Sequence, residues 1–147
     1  MYLYQIQQRF EELLEDYKND LPEPNVNQPE VIQYAIDFIY EHLFDQQLTV
    51  QWMNEHCNTY GDYYLSVFKF HVGCTPKYLW TKHRIEAAKI LLKDKGLAEA
   101  AIGDVAFNLG YAAHATFSFV FKKYTGYVPK NFREKHFSLE KNKANKA

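Results

Sequence analysis

With 147 residues, 47% of them hydrophobic and 17% aromatic, the chain holds enough apolar material for one packed domain or two small subdomains, and no apolar run long enough to span a membrane. Two cysteines, Cys57 and Cys74, are too few for a disulfide framework and favour a reducing cytoplasm. The formal net charge of −1 conceals a division: residues 1–57 carry a net of −9, with Arg9 and Lys18 as the only strong bases, and residues 58–147 carry +8, the footprint expected of a phosphate-binding half.

The first 20 residues lack the basic start and apolar centre of a signal peptide. They predict an amphipathic helix over 1–21. Leu3, Ile6, Phe10, Leu13 and Tyr17 alternate steps of three and four, the seam of a coiled coil, with Leu21 a further four residues on, and Glu11, Glu12, Glu15 and Asp16 form a solvated face. Two uses of the seam stay open: docking on the chain's own domain, or a homodimer through residues 3–21. Pro22, Pro24 and Pro29 then make a stiff linker.

A core helix follows from Glu30 to Leu43, with Val31, Ile32, Ala35, Ile36, Phe38, Ile39 and Leu43 on a broad apolar stripe. Thr49 suits the N-cap of a helix over Val50–Cys57, and Gly61–Val72 reads as a further helix. Thr75-Pro76 opens a long helix to about Leu92 that carries Lys77, Lys82, Arg84, Lys89 and Lys93, and Gly96 is its expected end. Leu97–Ala101 is either a loop or an early helical start. Ile102, Val105, Ala106 and Leu109 share one helical face, and Gly110 ends it. Phe117, Val120, Phe121 and Tyr124 mark the next helix, from Ala113 to Tyr124. Gly126 stops that helix and Pro129 starts a short one to His136. Residues 138–147 are expected to be a basic disordered tail.

A repeat runs through this order. Phe68, Lys69, Gly73, Pro76 and Lys77 match Phe121, Lys122, Gly126, Pro129 and Lys130 at a constant offset of 53. Met53, Asn54 and Asn58 match Val105, Ala106 and Gly110 at an offset of 52. The one-residue change falls in the turn, where it is easiest to absorb. Two short helices about a tight turn suit a helix-turn-helix, whose second helix can enter a DNA major groove. The chain therefore predicts two such units and a long helix between them.

With these residues in view, the chain resembles the DNA-binding domain of the AraC/XylS family of bacterial transcription regulators over about residues 30–137. Three stretches carry the resemblance: Arg84-Ile85 with Ala88, Leu91 and Leu92; Ile102 with Val105, Ala106, Gly110 and Tyr111; and Phe117 with Phe121, Lys122, Gly126, Pro129, Phe132 and Arg133. The resemblance implies an all-α fold of two helix-turn-helix subdomains joined by a linker helix, homeodomain-like, with residues 1–29 as an added helix and linker. The first unit would be 30–75, the linker helix 76–95 and the second unit 96–137. It implies sequence-specific binding to double-stranded DNA, with RNA polymerase as a further partner and a bacterial cytoplasm, at the nucleoid, as its place. The family's ligand-sensing domain has no counterpart here, which fits a stand-alone regulator or the C-terminal part of a longer one.

By position, Asp62, Tyr63, Leu65 and Ser66 of the first unit and His114, Ala115, Ser118 and Phe119 of the second would face the bases. Lys69, Lys77, Lys82, Arg84, Lys122, Lys123, Lys130 and Arg133 would face phosphates, although Arg84 and Arg133 equally suit pairing with Asp104 or with helix ends. The family commonly has Arg where Ser66 and Phe119 stand. Two readings follow: thymine methyls read by apolar groups, or a protein-interaction module on the same fold with decayed base readout. A linker helix of 17 residues spans roughly 26 Å, so two units flanking it reach a spacing near the roughly 34 Å of one DNA turn. His56, Cys57, His71 and Cys74 match no standard zinc spacing, and no nucleophile, phosphate-loop or metalloprotease motif occurs. No enzyme, metal or cofactor is expected.

Overall fold

The structure, a computed structural model, describes residues 2–57 and 62–146. Every regular element among them is helical. In chain order these are α1 (Tyr2–Asn19), α2 (Glu30–Glu41), α3 (Val50–Cys57), α4 (Asp62–Val72), α5 (Pro76–Lys93), a 3-10 turn (Lys95–Leu97), α6 (Ile102–Asn108), α7 (His114–Thr125) and α8 (Pro129–Lys146).

Two hydrophobic cores share α5. Ile32, Ile36, Ile39, Leu43, Met53, Phe68 and Trp80 close the first. Ile85, Ala88, Leu91 and Leu92 turn into the second, with Leu97, Val105, Leu109, Phe117 and Phe121. The N-terminal half of α5 thus belongs to α2, α3 and α4, and its C-terminal half to α6, α7 and α8. Local chemistry explains where these helices begin. The Thr49 hydroxyl accepts from the Trp52 amide at 3.0 Å, and the Thr75 hydroxyl accepts from the Tyr78 amide at 3.2 Å.

Two open alternatives close and two expectations change. The seam of α1 docks on its own chain: Phe10 is wholly buried and Leu14 nearly so in the second core, with Ile6, Leu13 and Tyr17 packed beside them. From Ile6 to Tyr17 the seam is therefore part of the second core, Leu21 packs on the first, and that part of the face a homodimer through residues 3–21 needs is occupied in cis, with Leu3 left exposed. Second, α5 stops at Lys93 and not at Gly96, because Asp94 turns extended and takes a two-pronged bond from Arg9 at 2.7 and 3.1 Å. Third, Leu97–Ala101 is a loop: Leu97 closes the 3-10 turn, residues 98–100 bend, and Ala101 is an extended N-cap, so α6 starts at Ile102. Fourth, residues 138–146 continue α8 instead of forming a disordered tail. That stretch has no Gly or Pro and includes three Lys with Leu139, Glu140 and Ala144, so propagation from an established helix costs little.

Candidate nucleic-acid interface

The repeat becomes a pair of matched helix exits. Phe68 on α4 and Phe121 on α7 are both fully buried, one in each core. One turn later Gly73 and Gly126 adopt φ of +95° and +84°, and each amide donates to the Lys69 or Lys122 carbonyl at 2.8 Å. Pro76 and Pro129 then start α5 and α8, and both are buried. Met53 and Val105, one helix earlier, are buried at the same depth. Asn58 lies outside the described residues.

With the inner faces fixed in this way, the outer faces follow. On α4, Ser66 and Lys69 are exposed, and Leu65 is half-buried against the first core. The side chains of Asp62 and Tyr63 lie outside the described set. On α7, His114, Ala115, Phe119, Lys122 and Lys123 are exposed and Ser118 is half-buried. Phe119 is 72% exposed, opposite the buried Phe117 and Phe121. Phe70 and Phe107, which no sequence argument had singled out, are 83% and 66% exposed. Phe70 follows Lys69 on the outer side of α4, at a position the core periodicity leaves free.

The phosphate-facing candidates divide. Lys69, Lys77, Lys82, Lys122, Lys123 and Lys130 all reach solvent. Arg84 does not. It is 5% exposed, and its guanidinium donates to the carbonyls of Leu43 and Asp45 at 2.8 Å each and of Gly110 at 3.4 Å. Burial lowers its pKa, offset by the adjoining Tyr111 and Asp45. Arg133 is likewise spent inside the protein, donating to Ala98 and Ala100 carbonyls at 3.0 and 2.8 Å and so capping the turn before α6. Both arginines are withdrawn from the phosphate set, because unpaired carbonyls at helix ends are stronger claimants than solvent. Neither uses Asp104.

A cleft runs between the units along the start of α5. Thr75, Lys77, Tyr78 and Thr81 form one wall and Phe119, Val120, Lys123 and Tyr124 the other. Tyr78 and Tyr124 rings lie 6.0 Å apart across it. The cleft thus collects Lys77, Phe119 and Lys123 from two different elements. Farther along, Thr49 and Val50 of α3 face Thr116 of α7 across Lys77 and Thr81. Cations beside an exposed aromatic in an open channel suit a nucleic-acid backbone. No described helix is long and apolar enough to cross a membrane.

Comparison with known proteins agrees with this geometry. A helix-turn-helix domain family matches residues 59–135, more than half of the chain. The raffinose operon transcriptional regulatory protein RafR of Pediococcus pentosaceus is 29% identical over 125 residues, covering 85% of this chain and 44% of that protein. The melibiose operon regulatory protein of Escherichia coli strain K12 is 29% identical over 103 residues, 70% of this chain and 33% of its own length. The chain therefore spans less than half the length of these curated relatives. Among solved structures, the C-terminal domain of AraT, a response regulator from Geobacillus stearothermophilus, superposes with a TM-score of 0.65 at 29% identity, over 74% of this chain and 88% of that one.

Proposed function

This chain belongs to the AraC-type helix-turn-helix family of DNA-binding transcription regulators, and on that premise we propose that it reads two successive major-groove segments of one DNA face in a sequence-specific way. The observation that carries the proposal is the duplicated exit of α4 and α7 on a single connecting helix. Equivalent buried anchors, Phe68 and Phe121, turn equivalent outer faces to solvent. The connector α5 has 18 residues, about 27 Å at 1.5 Å per residue, so its two ends suit adjacent groove segments.

Within this reading, Ser66 of α4, and His114, Ala115, Ser118 and Phe119 of α7, face base edges. His114 and Ser118 supply polar contacts and Phe119 an apolar one, to a thymine methyl or a sugar. Lys77 and Lys123 line the cleft as phosphate contacts, and the exposed Lys69, Lys82, Lys122 and Lys130 extend the set beyond it. Each phosphate neutralised adds to the salt dependence of binding.

Selection of duplexes from a random pool, followed by a salt titration, tests the proposal. A two-segment consensus is expected. Replacing Lys122 and Lys123 by Ala should weaken all duplexes alike and reduce the salt slope by about 1.8. Phe119→Ala should relax preference at one position, costing about 1–3 kcal/mol on the preferred site while non-specific binding is kept. A parent protein without sequence preference, whose exposed Phe119 instead captures a protein, would favour the interaction-module reading.

A further inference from the structure

Arg84 is the buried charged side chain among the described residues, and it touches both units at once. It sits near the middle of α5. Its Nε donates to the carbonyl of Leu43, just past the end of α2, and Nη2 to the carbonyl of Asp45 in the turn that leads to α3. Nη1 points the other way, to the carbonyl of Gly110 in the turn between α6 and α7. The Tyr111 ring lies 5.3 Å from Cζ. Gly110 makes room for the fork: a Cβ there would stand 2.7 Å from Nη2 and 2.9 Å from Cζ.

All three acceptors are main-chain atoms. A carboxylate partner could swing with its side chain, whereas these carbonyls move only if the backbone of a unit moves. Guanidinium is planar and its donors diverge at fixed angles, so the three bonds hold two turns and the connector in one relative orientation. Gln46 adds a weaker tie, from its amide to the Tyr111 carbonyl at 3.4 Å. Phe44 and Tyr17 pack against both cores, and α1 adds a strap, with Lys18 Nζ donating to the Glu41 carbonyl at 2.8 Å. The helix α5 sets the separation of the units along its axis, and the fork joins a turn of each unit to it.

We propose that Arg84 is a positioning residue that locks the two helix-turn-helix units in phase and so determines which half-site spacing the protein accepts. This rests on the two-segment DNA reading above. Inserting one base pair between half-sites rotates them by about 34° and separates them by about 3.4 Å. A locked pair tolerates neither, and a loosened pair adapts to both.

Two measurements test it, one of them without DNA. In the first, Glu55 and Glu134, both exposed and on different units, are replaced by Cys and spin-labelled, in a chain with Cys57 and Cys74 changed to Ser. Electron–electron distance distributions are compared for Arg84 and for Arg84→Lys, which keeps the charge but can bond fewer of the three carbonyls. The parent should give one narrow peak and the variant a peak about twice as broad. Equal widths in folded protein would overturn the proposal, whatever the DNA result.

In the second, affinity is read on the selected duplex, on duplexes with one base pair added or removed between the half-sites, and on a duplex with only one half-site. The parent should lose about tenfold or more on changing the spacer. Arg84→Lys and Arg84→Met should lose under about threefold on the same change and keep parental affinity for the single half-site. If both variants retain the parent's spacer profile, Arg84 is structural only. A parent that binds no duplex removes the DNA reading and the spacing role together, and the distance distributions then still report on the lock itself. Should Arg84→Met be unfolded by circular dichroism, Arg84→Lys and Gln46→Ala decide the matter.

Discussion

Gly110→Ala and Gly126→Ala form a matched pair whose difference measures the fork. Both glycines have positive φ, +97° and +84°, where an L side chain costs about 1–2 kcal/mol. Ala also stiffens the unfolded chain, which returns about 0.4–1 kcal/mol. At Gly126 nothing lies within 4 Å of the added Cβ, so its net cost is about 1 kcal/mol. At Gly110 the Cβ meets Nη2 at 2.7 Å, Cζ at 2.9 Å and the Phe44 carbonyl at 3.1 Å. To restore ordinary contact the guanidinium must shift by about 0.7 Å, which a planar fork held by three fixed carbonyls cannot do without giving up at least one bond. Losing one such charged bond costs about 1.5–3 kcal/mol. Gly110→Ala should therefore cost about 2.5–4 kcal/mol, ~1.5–3 kcal/mol more than Gly126→Ala, read from urea midpoints at unchanged slope. In an Arg84→Met background the excess should shrink, because the crowded atoms are gone. Two variants equal within ~0.5 kcal/mol would refute the reasoning.

Two further outcomes follow from α1. Phe10→Asp places a carboxylate in the second core, where even truncation to Ala costs about 3–5 kcal/mol; a large fall in melting temperature is expected, with parent and variant both monomeric by sedimentation, and a parental dimer that dissociates would return the seam to packing in trans. The joint between α1 and α5 should also depend on pH, since the Tyr17 hydroxyl meets His83 Nδ1 at 2.7 Å. Burial raises Tyr17 to about 12, and burial together with Lys82 lowers His83. Both shifts favour the neutral forms. The Tyr17 contribution is present below pH 10 and is lost as pH rises to about 12, and the His83 contribution is present above pH 6.5 and is lost as pH falls below it. Tyr17→Phe should flatten the alkaline fall in melting temperature, and a curve unchanged by that substitution would remove Tyr17 as its source.

Where the chemistry was local, the sequence told the fold well. The Gly73 and Gly126 exits, the Thr49 and Thr75 caps and the two buried phenylalanines each depend on neighbours within a turn or two. The Arg84 and Arg133 roles were only half legible, because a sequence shows a charge and not the carbonyl it faces. Gly96 looked like the stronger stop for α5, but Arg9, 85 residues earlier in the chain than Asp94, decides the end of that helix. The seam of α1 has the same spacing whether it packs in cis or in trans, so only the arrangement in space separates the two. Phe70 escaped notice because an exposed aromatic next to a helical core stripe has no periodic signature of its own.

The two units are unequal, and that inequality gives the fork its use. The second offers His114, Phe119, Lys122 and Lys123 on one exposed face, whereas the described face of α4 offers Ser66, Lys69 and Phe70. Neither has an exposed Arg for a guanine. On the proposed reading, each half-site alone is bound weakly, the first more so. A weak second contact adds to affinity only when its partner delivers it at high effective concentration and in the right orientation. A flexible joint would spend much of that gain on ordering the unit at each encounter. Three main-chain bonds from one buried arginine do the ordering during folding instead. Fewer strong base contacts are then needed in each unit, and discrimination passes in part from the bases themselves to the distance and angle between two half-sites.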